Sequence, residues 1–286
     1  MERRRPRPWS DPLALEGVRA HAGFRSGLDA FARQLIGLHR HRPLLNQLVN
    51  DRGRMMITGA ALYLHYEPGG TGLSTARLQA LCVAQQFCSA GRASATVALL
   101  RWGGFLRPAP SGDRRVNRLE PTEALITAHR ERWRNSLEAT ARVFPETQDA
   151  ADRLDDPAVF AAMMLAQTDV FLDGFRFADV APVLRPVLDR NLGFIILLDR
   201  LLHEAQPASV SALSRAYRVS RAQAAGVLRD NCDDGRLRPD VRDGVERFAA
   251  ALFLLNVHCA RRALAASGRG EHPVHLGHQL AQVDGL

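Results

Sequence analysis

The chain has 286 residues, 46% of them apolar, which is enough for two compact cores and too many for a disordered chain. Its formal net charge of +8 suits a partner rich in negative charge and leaves both nucleic acid and an anionic membrane surface open. All 38 basic residues are arginine, an imbalance that fits GC-rich codon usage, so where the charge is placed says more than its sum.

The amino terminus, MERRRPRPWSDP, has no apolar run behind its arginines. The expectation is therefore a cytoplasmic protein without a secretory signal. No window approaches the roughly 18 consecutive apolar residues of a membrane-spanning helix, so no membrane role is expected. Cys82, Cys88, Cys232 and Cys259 lack CxxC spacing. That pattern predicts reduced thiols rather than a zinc site or a disulfide framework.

Taken in chain order, residues 1–25 read as a basic arm. Leu28, Phe31, Leu35 and Leu38 then recur at helical spacing and predict a helix over residues 26–39. A long helix follows Asp51 and Arg52. Ser74 is a natural N-cap for an amphipathic helix over residues 75–87, with Leu78, Leu81 and Cys82 on one face. A turn near residues 88–91 leads into a second helix over residues 92–102. Ala93, Val97 and Leu100 are expected inside, with Arg92, Ser94, Ala95 and Thr96 facing out, a helix-turn-helix pattern. Strand signals are confined to residues 105–119, where two short segments flank the turn-forming Pro108, Ala109, Pro110, Ser111, Gly112 and Asp113.

A helix over residues 122–144 ends at a polar, acidic stretch, residues 147–157, which is expected to be a linker outside the core. Beyond it the chain repeats itself. Asp189 and Arg190 match Asp51 and Arg52, Ile195 matches Ile57, and Leu202 with His203 matches Leu64 with His65, all at one offset. A second block follows each long helix, ending in GGFLRP at Pro108 and in DGRLRP at Pro239. Ser220, Arg221 and Gln223 occupy the start of the second candidate recognition helix. Its hairpin is expected to be missing or stunted, because a helical run over residues 241–264 begins almost at once, and Asp230, Asp233 and Asp234 dilute its charge. The last residues, 267–286, read as a loose tail. Its His272, His275 and His278 lie among Pro273 and Gly277, which argues against a helical metal site, so no metal or other cofactor is expected.

Residues 105–125 carry a more specific pattern: a Gly/Pro-rich turn, then Asp113, Arg114 and Arg115, a strand ending at Leu119, and Thr122 with Glu123 opening a helix. This resembles the wing of MarR-family winged helix-turn-helix regulators, with Pro121 and Thr122 where that family usually has a Leu-Thr step. The likeness covers residues 26–144 well and residues 157–266 weakly.

It implies a mainly α protein built as tandem winged helix-turn-helix units, residues 26–148 and a degenerate 149–266, packed as a pseudo-dimer with a small β-wing in the first unit. It also implies a sequence-specific, double-stranded DNA-binding transcription regulator, acting as a monomeric pseudo-dimer or a homodimer. The terminal helices of both units would form the pseudo-dimer interface. Arg115 would enter the minor groove and Asp113 would hold a neighbouring arginine. Arg107, Arg114 and Arg118 would contact DNA beside them, and Arg92, Ser94, Ala95, Thr96, Ser220, Arg221 and Gln223 would do so from the two helices.

Family members also bind small aromatic ligands, for which Met55, Tyr63, Tyr66 and Trp133 are candidate lining residues here. No GxSxG, P-loop, GxGxxG or HExxH motif occurs in a supporting context, so an enzyme is not expected. The competing reading is a winged-helix module that docks another regulator or a polymerase subunit.

Overall fold

A computed structural model describes residues 7–41, 51–110 and 117–268 and is mainly helical. After a short 3-10 turn at Pro8–Ser10 come α1 (Pro12–Ala20) and α2 (Phe24–His41). A first series follows: α3 (Arg52–Tyr66), α4 (Thr75–Ala84), α5 (Ala90–Trp102), β1 (Leu106–Pro108), β2 (Leu119–Pro121) and α6 (Glu123–Thr140). Next are α7 (Thr147–Asp152) and α8 (Pro157–Leu172). After short turns the succession recurs as α9 (Gly193–Leu202), α10 (Val210–Tyr217), α11 (Arg221–Asn231), β3 (Cys232–Asp233), β4 (Arg236–Leu237) and α12 (Pro239–Ser267).

Local chemistry sets the matching starts. Ser74, Ser89, Ser209 and Ser220 each accept a hydrogen bond from the backbone N–H three residues on, satisfying one orphan donor of α4, α5, α10 and α11. In the first series β1 and β2 pair antiparallel with Leu106 opposite Pro121. Ser74 bridges to Arg118, and Leu119 N–H donates to the Leu73 carbonyl at 2.9 Å, so the chain before α4 edges the same small sheet. In the second series β3 and β4 are joined by Asp234 and Gly235, both at positive φ (48° and 79°). The hairpin is thus stunted but present, made by an Asp-Gly loop of the kind that closes two-residue hairpins.

Two apolar cores form, and they do not divide where the sequence suggested. One gathers α3 to α6 with α8 and the carboxyl half of α12, through Phe160, Met163, Leu255 and Cys259. The other gathers α9 to α11 with α1, α2 and the amino half of α12, through Leu28, Phe31, Val245 and Phe253. Helices α2 and α8 have in effect changed places: α2 lies on α9, and α8 lies on α3. A cut between residues 148 and 149 would separate each core from a helix that completes it. Gly27 marks a close approach of α2 to α6 and α12, since a Cβ there would meet the Ala139 carbonyl oxygen at 2.9 Å and the Phe253 ring at 3.1 Å.

Two further expectations need correction. The amino-terminal segment is not a free arm as far as it is described: Trp9, Leu15 and Val18 are buried, and α1 packs on α12. Residues 147–157 are not an exposed linker either. Thr147, Ala150, Ala151 and Leu154 form an i, i+3, i+4, i+7 stripe with no exposure, and the Thr147 hydroxyl donates to the Leu137 and Phe144 carbonyls. Pro157 opens α8 at its first position, where its missing N–H costs nothing. The longest helix, α12, has an 18-residue window apolar enough to cross a membrane by composition, and 56% of that window is buried within the protein.

One buried acid ties α2 to the second series. Asp199, 3% exposed on α9, receives Arg40 of α2 at 3.2 Å and the Tyr217 hydroxyl of α10, while the Arg40 guanidinium lies 5.7 Å from the Tyr217 ring. Losing the acid strands a buried hydroxyl, whereas losing Arg40, half exposed, leaves Asp199 its tyrosine partner. Asp199→Ala should therefore cost about 2–3 kcal/mol in urea unfolding and Arg40→Ala about 1 kcal/mol; equal losses would contradict this assignment.

Candidate nucleic-acid interface

Helices α4 and α5 meet across a turn at residues 85–89 in which Gln86 has a φ of 54°. Arg176 pins that turn: it donates to the Gln85 carbonyl at 2.6 Å, and its guanidinium lies 4.9 Å from the Phe87 ring centroid. On α5, Arg92 and Ala95 are exposed and Ser94 is half-buried. Arg92 is not free, because Asp51 holds it at 2.6 Å. Ser94 accepts from the Gln79 amide of α4.

Thr96 contradicts the expectation that it faces out: it is 2% exposed, and its hydroxyl donates to the Arg92 carbonyl at 2.9 Å. Ala93, Thr96, Val97 and Leu100 make the inward stripe. A threonine joins it because back-bonding to the carbonyl four residues earlier satisfies the hydroxyl inside the helix.

On the first hairpin Arg107 is exposed and pairs across the strands with Glu120 at 2.6 Å. Arg118 is exposed, with no side-chain partner among the described residues. Asp113, Arg114 and Arg115 lie outside the described residues, as do His272, His275, His278 and the tail from residue 269.

On the second series Ser220 caps α11 and Arg221 is exposed, while Gln223 donates its amide to the Asn191 carbonyl and faces the chain before α9. Residues that sequence reasoning passed over sit beside these. Arg101 and Trp102, the latter 77% exposed, end α5 next to the hairpin. Arg215, Arg218 and Arg221 cluster on the α10–α11 turn, all exposed and none ion-paired among the described residues. Their spacing of three, interrupted by the buried Tyr217 and Val219, was the available signal. The acidic dilution expected of this series is weaker than its count, since Asp230 is spent on Arg190 at 2.7 Å.

Between the two series lies a cavity of about 710 Å³, walled by α2, α3, α6, α8, α9 and α12. Met55 and Trp133 line it as expected of a ligand cleft. Tyr63 and Tyr66 do not; both pack against the first core, where Tyr66 meets Phe160 edge-on at 5.9 Å. His39 and His129 also face the cavity. Thr58 donates its hydroxyl to the Met55 carbonyl, so its oxygen accepts from His129 Nε2 at 3.1 Å and fixes that tautomer. Burial first, and then repulsion from Arg132, holds His39 down to about 4 and His129 down to about 3.

No known protein family matches the chain, and neither a curated protein nor a solved structure is significantly similar to it. By its architecture it is a mainly helical protein with a repeated succession of elements.

The two histidines generate a pH dependence of known sign. Their folded values are depressed, so the unfolded chain takes up protons from about pH 6.5 downward while the folded chain does not until about 4 and 3. Stability is therefore full above 6.5 and falls below it, by up to about 1.4 kcal/mol per pH unit for each histidine. Urea midpoints measured between pH 7 and about 4.5 should decline, and the double variant His39→Gln/His129→Gln should flatten the decline.

Proposed function

We propose that this chain is a sequence-specific, double-stranded DNA-binding transcription regulator of the MarR-like winged-helix type, whose two tandem units pack as a pseudo-dimer. The observation that carries the reading is the placement of surface arginines. Arg101, Arg118, Arg215, Arg218 and Arg221 stand exposed and unpaired among the described residues beside two serine-capped helices that each follow a short helix and precede a hairpin. Elsewhere many arginines are tied to carboxylates, as Arg19 is to Asp243 and Glu246 and Arg130 to Glu123. Cations without acceptors beside such helices suit phosphates, and small residues such as Ala90, Gly91 and Ala95 at the start of α5 let a backbone approach the major groove.

The exchanged helices α2 and α8 support the pseudo-dimer. They make each half incomplete alone, as in an intertwined homodimer, and one chain would then present two readers without needing a second. The arginine trio gives the second unit a full share in binding, rather than the minor one its short hairpin implied. A second reading, docking of a protein partner, is favoured by one observation, the exposed Trp102 in the hollow beside Arg107 and Pro108.

Fluorescence anisotropy with labelled duplexes across a salt series tests the proposal. DNA affinity should fall steeply with salt, with a log–log slope of several units. Arg218→Ala/Arg221→Ala should reduce both affinity and slope, by about one unit of slope for each phosphate no longer neutralised. Arg115→Ala should weaken binding without lowering the melting temperature. Salt-independent or absent duplex binding would leave the docking reading, with Trp102→Ala as its probe.

A further inference from the structure

The two serine caps put α5 and α11 in one register. Counted from Ser89 and Ser220, Ala93 matches Ala224, Thr96 matches Val227 and Leu100 matches Asn231, and every one of these residues is buried. The same count pairs Arg92 with Gln223, and each is held by its own half, Arg92 by Asp51 and Gln223 by the Asn191 carbonyl. The inward faces of the two helices and their tethers therefore correspond.

Their outward faces do not. Ala98 of α5 is exposed where α11 has the exposed Arg229, and Trp102 is exposed where the second series has the exposed Asp233. Charge also sits at opposite ends of the two helices. Ahead of α11, Arg215, Arg218 and Arg221 are exposed and unpaired among the described residues, whereas the turn ahead of α5, residues 85–89, holds no charged residue. Behind the helices the order reverses. The exposed Arg101 at the end of α5 is followed by a hairpin whose Arg107 and Arg118 outnumber Glu120 among the described residues. After α11 comes a hairpin whose exposed Asp233 and Asp234 outnumber Arg236. Residues 109–118 separate the strands of the first hairpin, and only Asp234 and Gly235 separate those of the second.

A protein dyad is mirrored by a dyad in the DNA it reads, because equal residues then meet equal phosphates and base edges in both half-sites. Phosphate contacts set the register on the duplex and base contacts set the sequence. Here the cations suited to phosphates lie after one helix and before the other, and an acid stands where the first helix ends in an indole. An inverted repeat would offer one of the two helices the wrong phosphates and the wrong base edges. We infer that the duplex this chain recognises is not an inverted repeat but a directional site of two unlike halves, bound by one chain. One half is read by α5 with the cations of Arg101 and the first hairpin, the other by α11 with the arginines of the turn before it. The inference rests on the DNA-binding reading above and adds to it that the site has a fixed orientation.

Selection of tight binders of the full chain from duplexes with a random core gives the site, and ethylation interference on that site gives the phosphates that matter. The selected sequence should lack twofold symmetry and take one chain per duplex by light scattering. An inverted repeat built from either half should bind roughly tenfold or more weakly. Arg101→Ala/Arg118→Ala should abolish phosphate interference in one half alone, and Arg218→Ala/Arg221→Ala in the other half alone. Both variants should keep the melting temperature of the unsubstituted chain, because the substituted side chains are exposed. A palindromic selected sequence, two chains per duplex, interference related by a dyad, or either variant acting in both halves would overturn the inference and leave DNA binding standing. Failure to select any duplex would overturn both.

Discussion

Everything in this protein is strung on one long helix. The 29 residues of α12 span about 43 Å, and the helix serves both cores. Its amino half gives Val241, Val245, Ala249 and Phe253 to one core, and its carboxyl half gives Leu255, Cys259, Ala260 and Ala263 to the other. The two cores share a rigid beam. The helix that completes each core comes from the other stretch of sequence, so neither series of elements has a closed apolar surface alone.

Where α6 crosses α12 the packing is polar rather than apolar. The buried Asn256 amide donates to the Ser136 hydroxyl and to the Thr140 hydroxyl, both at 2.8 Å, and the Thr140 hydroxyl donates to the Ser136 carbonyl. Apolar stripes of Ala and Leu can slide by a turn at modest cost, but a buried amide with fixed partners cannot. This cluster sits beside the central cavity, since Ser136 and Asn256 both line it. The register of the beam and the shape of the hollow are thereby set at one place.

Local signals in the sequence read through to the structure, and signals that needed tertiary context did not. The serine caps at Ser74 and Ser220 and the helices before and after residues 88–91 depend on neighbours within a few residues, and they mark real elements; of the repeated pairs, Asp51 caps α3 while Asp189 and Arg190 precede α9, and the Leu-His pairs fall at the ends of α3 and α9. Thr96 was misplaced because its polarity suggested solvent, while its spacing from Ala93 and Leu100 put it inside. Residues 147–157 read differently for the opposite reason: half-buried Gln148 and exposed Asp149 and Asp152 outweigh, to the eye, a narrow stripe of Thr147, Ala150, Ala151 and Leu154. No local pattern announces that α2 and α8 change places.

The repeated Asp-Arg pairs end up with different tasks, and the difference joins the two halves. Asp51 caps α3 and holds Arg92 of α5 at 2.6 Å. The next residue, Arg52, reaches across the seam to Asp189 at 2.9 Å, and Arg190, one residue on, holds Asp230 at the end of α11 at 2.7 Å. A strict twofold would have matched each aspartate to the same kind of partner. Here the pairs form a line from α5 through the seam to α11. Each link is at least partly exposed and is worth little by itself, about 0–1 kcal/mol. The line therefore adds little to stability. What it fixes is direction: the start of one exposed helix and the end of the other are referred to the same seam, which is also the rim of the cavity, where Asp51, Arg52 and Arg190 all appear.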